Sequence, residues 1–241
     1  QYVLIIGSIV AFIFLAVAGN EKRAAAGLTR QNWKSAVFIV LLFVGIYIVR
    51  TVVSMAGQGV SDGNGMQYVK EWAAMFKDPV MWLNIVALPI NYFFVFIAFF
   101  GEEYGWRYYL QPILQKKFGL RAGVIVLGVV WGLWHIPDDL FYYTQTSGIQ
   151  MIFAQQITCI ALGIFFAYAY MKTKNIWVPV CLHYLNNNLI PIISGTFSAD
   201  VLENQTVSWK ELPAALVLNG LCFGFFLLAD VFKKKEVQKE D

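Results

Sequence analysis

Six side chains in this sequence are of types and spacings that could share one piece of chemistry. They are Glu102, Glu103 and Arg107 in "GEEYGWRYYL", His135 in "WGLWHIP", and His183 with Asn187 in "CLHYLNNNL". Glu103 and Arg107 stand at i, i+4, so on a continuing helix they meet on one face and neutralise one another. Glu102 lies about 100° round that helix and lacks this partner. It is the freer carboxylate, suited to take a proton as a general base. His183 and Asn187 also stand at i, i+4, so one helix offers an imidazole and an amide to the same point. Such a pair can hold a developing oxyanion. The chain has only 2 histidines, and both fall in or at the end of apolar segments. An ionisable group inside a membrane span costs about 2.5–3.5 kcal/mol on insertion scales and marks function by default. Two histidines with a carboxylate pair therefore point to one shared site. Other polar residues read more plainly. Arg50 near a helix end reads as snorkelling, Asn186 and Asn188 as helix-ending residues without a role, and Trp131 and Trp134 as packing.

The elements that must position these groups are membrane helices. Of 241 residues, 59% are hydrophobic, 17% aromatic and only 14% charged, far from the usual soluble mix. Seven apolar runs approach the length of a bilayer crossing: 2–18, 35–56, 80–101, 121–137, 149–171, 176–195 and 212–232. They are continuous and lack the dyad alternation of a barrel, so the expected fold is an all-α polytopic bundle, one membrane domain over 1–241. Every second connection is basic: Lys22, Arg23, Arg30 and Lys34, then Lys116, Lys117 and Arg121, then Lys172 and Lys174, then the tail from Lys233. By the positive-inside rule these connections and the C-terminus are cytoplasmic. In the long outer connection, Tyr68, Trp72 and Phe76 recur every four residues, the pattern of a short amphipathic helix. Gly123, Gly128 and Gly132 in the fourth span predict close helix approach. Cys159, Cys181 and Cys222 read as small core residues with no disulfide framework.

The ordered set "EEYGWR", "WGLWH" and "HYLNN" resembles the CPBP family of intramembrane proteases, also called the Abi or type II CAAX prenyl endopeptidase family. Its motifs are Glu-Glu-x-x-x-Arg, Phe-x-x-x-His and His-x-x-x-Asn or Asp. They match here at Glu102, Glu103 and Arg107, at Trp131 and His135, and at His183 and Asn187, with Trp131 where Phe is usual. The motif core spans 102–187. The resemblance implies hydrolysis of a peptide bond inside a bacterial cell membrane. Glu102 would activate water with help from His135, His183 and Asn187 would stabilise the oxyanion, and Glu103 with Arg107 would organise the site. The implied substrate is a membrane-associated or lipidated peptide or protein, among them prenylated proteins and bacteriocin or pheromone precursors. Nothing points to nucleic acid. A glutamate-activated water without metal is favoured, although Glu102, His135 and His183 would make a three-ligand zinc set. Two other classes compete: a non-catalytic immunity or partner-binding membrane protein of the same fold, and a proton-coupled transporter.

One conflict sharpens the expectation. With the third span starting at Val80 and the fourth at Arg121, a rise of about 1.5 Å per residue puts Glu102 and His135 at opposite membrane edges. A shared site therefore predicts a long Glu-bearing helix, from near Ala87 past Arg107 towards Pro112, with His135 on a displaced or tilted helix.

Overall fold

The computed structural model of the chain describes residues 9–10, 13, 17, 19–28, 30–196 and 198–233, and every regular element among them is helical. In chain order these are α1 (Asn20–Ala25), α2 (Trp33–Asp62), α3 (Gly65–Met75), α4 (Pro79–Glu103), a π-helix (Tyr104–Leu110), α5 (Gln111–Phe118), α6 (Leu120–Trp134), α7 (Ile136–Phe141), α8 (Gly148–Thr173), α9 (Trp177–Ser194), α10 (Ala199–Glu203) and α11 (Leu212–Cys222). Two 3-10 turns, Gly224–Leu228 and Asp230–Phe232, follow. The fold is all-α, as the continuous apolar runs require.

Four stretches are long and apolar enough to cross a membrane: Trp33–Gly57, Pro79–Phe118, Leu120–Phe141 and Gly148–Thr173. They correspond to the second to fifth of the seven runs, and the chain is an integral membrane protein. The first run, 2–18, lies almost wholly outside the described residues. The sixth is α9, in which His183 and three asparagines dilute the apolar character. The seventh is interrupted: α11 stops at Cys222, and Gly224 opens a 3-10 turn.

The Glu-bearing helix is long, as the shared site predicts, but it starts earlier than Ala87. Asp78 caps it by accepting from the Val80 amide at 2.9 Å, and Pro79 occupies the first turn, where its missing N–H costs nothing. The helical run then continues to Phe118, 40 residues in all, well past Arg107 and Pro112. Its regularity breaks at Tyr104–Leu110, where the chain winds as a π-helix. Hydrogen bonds from i to i+5 make each angular step smaller than in an α-helix, and such segments concentrate at functional sites. Pro112 follows immediately; in a regular α-helix its ring would meet the Tyr108 carbonyl.

The chain packs as two compact units. In the first, residues 1–104 and 173–205, α9 packs against α4 and α2, and α3 against α2. Polar ties hold its connections: Asn32 donates to the Thr173 carbonyl at 2.9 Å, Asn175 to that of Gln31 at 3.1 Å, and the Tyr104 hydroxyl to that of Ala26 at 2.9 Å. The expected amphipathic helix is α3, and Trp72 on it donates to the Ile193 carbonyl at 2.6 Å. Two prolines, Pro89 and Pro191, sit inside α4 and α9.

In the second unit, residues 105–172 and 206–241, the glycines of α6 permit close approach as expected. A Cβ on Gly123 would stand 2.6 Å from the Gln115 backbone, and one on Gly128 2.6 Å from the Ile160 Cα. Around these contacts Val124, Ile164, Ala167 and Phe232 form a buried core. No disulfide joins Cys159, Cys181 or Cys222.

Candidate functional site

In the first unit the helices α4 and α9 bring Glu103 and His183 together. Glu103 ends α4 with no exposed surface, and its Oε1 lies 2.9 Å from Nδ1 of His183, itself buried. Aromatic packing fixes the imidazole. Phe99, one turn before Glu103, presents its ring edge-on to His183 at 5.2 Å and to Tyr184 at 5.5 Å, and Tyr184 donates its hydroxyl to the Leu88 carbonyl at 2.8 Å. With Glu103 ionised, its carboxylate only accepts, and Nδ1 of His183 then carries the proton. Its Nε2 is then an acceptor in the neutral ring and a donor in the imidazolium. Glu102 sits beside Glu103 at the end of α4, half-buried. Asn187 lies one turn beyond His183 on α9 with its side chain exposed. Its Oδ1 accepts from Nδ2 of Asn186 at 2.9 Å.

The second unit holds Arg107 and His135. Arg107, on the π-helix, is fully buried, donates Nη1 to the Gly163 carbonyl at 3.3 Å, and lies over the rings of Trp131 (5.3 Å) and Phe166 (5.5 Å). Trp131 thus holds the guanidinium by cation–π contact as well as filling the core. His135 ends α6, where Pro137 follows, and its Nδ1 donates to the Trp131 carbonyl at 2.8 Å. That bond leaves Nε2 of a neutral His135 as the acceptor. Cys159 approaches the same Nδ1, with Sγ at 3.7 Å. Just beyond the fourth span, burial first and then the Asp138 and Asp139 carboxyls push the Tyr143 hydroxyl up to about 12, so it stays protonated.

The π winding alters the register from which the contact of Glu103 with Arg107 was reasoned, because that spacing assumed an α-helix. The contact between Glu103 and His183, 80 residues apart, leaves no periodic signal and was not anticipated. Three further residues stand in surroundings that their types alone do not announce. Asn186 bonds to Asn187 and accepts the hydroxyl of Tyr47. Arg50 lies over the Tyr47 ring at 5.5 Å instead of only reaching for the interface. Asp139 is fully buried, and neither of its carboxyl oxygens has a hydrogen-bond partner among the described residues. Among those residues no three His, Cys, Asp or Glu side chains gather to hold a metal ion.

Comparison with known proteins agrees with the motifs. The profile of the family described as type II CAAX prenyl endopeptidase Rce1-like matches residues 82–189, a segment that contains all six candidate residues. The chain is 27% identical over 140 residues to CAAX prenyl protease 2 of Methanococcus maripaludis, an alignment covering 54% of this chain and 49% of that protein. It is 25% identical over 118 residues to YdiL of Bacillus subtilis, covering 48% of this chain and 42% of that one. The chain therefore spans about half the length of the curated relatives it matches. No solved structure matches it. The resemblance carried by the three motifs holds, and over residues 82–189 this chain is similar to the Rce1-like type II CAAX prenyl endopeptidases.

Proposed function

We propose that this protein is an intramembrane endopeptidase that hydrolyses a peptide bond of a lipidated or membrane-associated protein or peptide. Glu102 takes a proton from a water molecule, and the water oxygen attacks the scissile carbonyl carbon. The resulting oxyanion is held by Nε2–H of His183, as imidazolium, and by Nδ2–H of Asn187. The proton then passes from Glu102 to the departing amine, which breaks the C–N bond. His135 assists through Nε2, the nitrogen that its bond to the Trp131 carbonyl leaves as the acceptor. Glu103 and Arg107 organise the site, Glu103 by fixing the proton on Nδ1 of His183. No step is routed through a metal ion.

The observation that carries this reading is the buried 2.9 Å contact of Glu103 with His183, one helical turn from Asn187, inside the segment similar to the CAAX endopeptidases. Within the proposal all six residues serve the same reaction, in a bacterial cell membrane. The basic connections and the C-terminus face the cytoplasm, and a prenylated protein is the first substrate class to test, ahead of bacteriocin or pheromone precursors. The test is cleavage of a farnesylated, internally quenched peptide by the purified chain in proteoliposomes, beside Glu102→Gln. Loss of cleavage in a normally inserted Glu102→Gln protein supports the reading. Equal cleavage by both proteins refutes the assignment of Glu102, and a specific partner contact retained by Glu102→Gln in a chain without peptidase activity favours a binding protein of the same fold.

A further inference from the structure

An oxyanion hole that uses an asparagine has a built-in ambiguity, because the side-chain amide presents either an acceptor or a donor depending on which way it is turned. Asn187 serves only if its Nδ2 faces the substrate, which requires that its Oδ1 be occupied elsewhere. In this protein it is: Oδ1 accepts from Nδ2 of Asn186 at 2.9 Å. That donor exists only because Asn186 is itself turned one way, with its own Oδ1 accepting the hydroxyl proton of Tyr47. Tyr47 is 5% exposed on α2, gripped by the edge of the Phe43 ring at 4.9 Å. The Arg50 guanidinium, also from α2, lies 5.5 Å from the Tyr47 ring centroid. A cation over the ring draws density from the phenol, which makes the hydroxyl a better donor and a poorer acceptor. The direction of every bond in the chain is thereby fixed, from hydroxyl to first amide to second amide.

We propose that Tyr47 and Asn186 are positioning residues that set the orientation of the Asn187 amide, so that α2, which carries none of the family motifs, determines the polarity of the oxyanion hole. The inference rests on the peptidase reading above and adds to it a device outside the motif core. All four groups, Arg50, Tyr47, Asn186 and Asn187, belong to the first unit.

The experiment is a double-mutant cycle read as kcat and KM on the farnesylated quenched peptide in proteoliposomes. A neutral hydrogen bond contributes about 1 kcal/mol, so Tyr47→Phe is expected to lower kcat roughly fivefold while KM stays near the wild-type value. Asn186→Ala is expected to do the same with Tyr47 intact, which keeps the test sound if Tyr47→Phe folds poorly. The discriminating variant is the pair of Tyr47→Phe with Asn187→Ala. If Tyr47 acts through Asn187, the pair is no slower than Asn187→Ala alone, because there is no amide left to orient. Multiplying losses in the pair, or Tyr47→Phe and Asn186→Ala at the wild-type rate beside an impaired Asn187→Ala, overturn the inference and leave the peptidase reading standing. Asn187→Ala at the wild-type rate overturns both the oxyanion role of Asn187 and this inference, and a wild-type chain that cleaves no prenylated peptide removes the inference with the reading it rests on.

Discussion

Replacing Glu103 separates a charge effect from a contact effect at the same atom. Glu103→Gln keeps an oxygen that accepts from Nδ1 of His183 at the observed 2.9 Å and removes only the negative charge. A charge-assisted hydrogen bond contributes about 1.5–3 kcal/mol and a neutral one about 1, so the loss is on the order of 1 kcal/mol. If the imidazolium matters only while the oxyanion exists, that is roughly a fivefold fall in kcat. Glu103→Ala goes further. It leaves the His183 N–H without an acceptor at a site where both side chains are buried, which adds about 1–3 kcal/mol and brings the fall to the order of a hundredfold. The assay is initial cleavage rate in proteoliposomes, normalised to the folded fraction from a thermal melt, with Glu102→Gln as the dead reference. The expected order is wild type, Glu103→Gln, Glu103→Ala, Glu102→Gln. A Glu103→Gln as slow as Glu103→Ala, or both at the wild-type rate, would refute the claim that Glu103 acts by orienting and charging His183.

Packing of the second unit gives a matched pair of variants. On Gly128 a Cβ meets the Ile160 backbone at 2.6 Å, whereas on Gly132 it meets the movable end of Gln156 at the same distance. Gly128→Ala should therefore cost about 1–3 kcal/mol and Gly132→Ala well under that, read as thermal midpoints in detergent. Asp139→Asn removes an ionisable group buried with no partner for either oxygen, so the midpoint should rise by a few degrees, and a clear fall would show that the carboxyl is used. Orientation is checked with single exposed cysteines: an impermeant maleimide should label Thr146→Cys in intact cells and Lys117→Cys only after permeabilisation.

Much of the fold is written in local pattern. The second to fifth apolar runs become membrane-length helices that start within a few residues of where hydropathy places them, and the glycines of α6 mark real points of contact. The cap that moves the start of α4 to Pro79 was present as Asp78–Pro79, but a shared site at Glu102 and His135 argued for a later start. The π segment was illegible, since "YGWRYYL" has the composition of an ordinary helix and only tertiary surroundings select the wider turn. At the site, spacing within one helix places His183 and Asn187 one turn apart on α9. It could not give the bond of Glu103 to His183 or of Tyr47 to Asn186, because contacts across 80 and 139 residues depend on how helices meet. Asn186 carried a signal all the same: three consecutive asparagines inside an apolar helix are costly unless some of them bond to each other or to a neighbour.

Pro191 inside α9 has a bearing on hydration. A proline has no N–H, so the main-chain carbonyl four residues earlier, that of Asn187, loses its regular donor. In hydrocarbon such a carbonyl costs several kcal/mol, and membrane helices tolerate it only where protein or water satisfies it. The Asn187 side chain is exposed at the same level of α9. Under the peptidase reading, this break in the backbone ladder favours water beside the Asn187 amide, where hydrolysis would consume it.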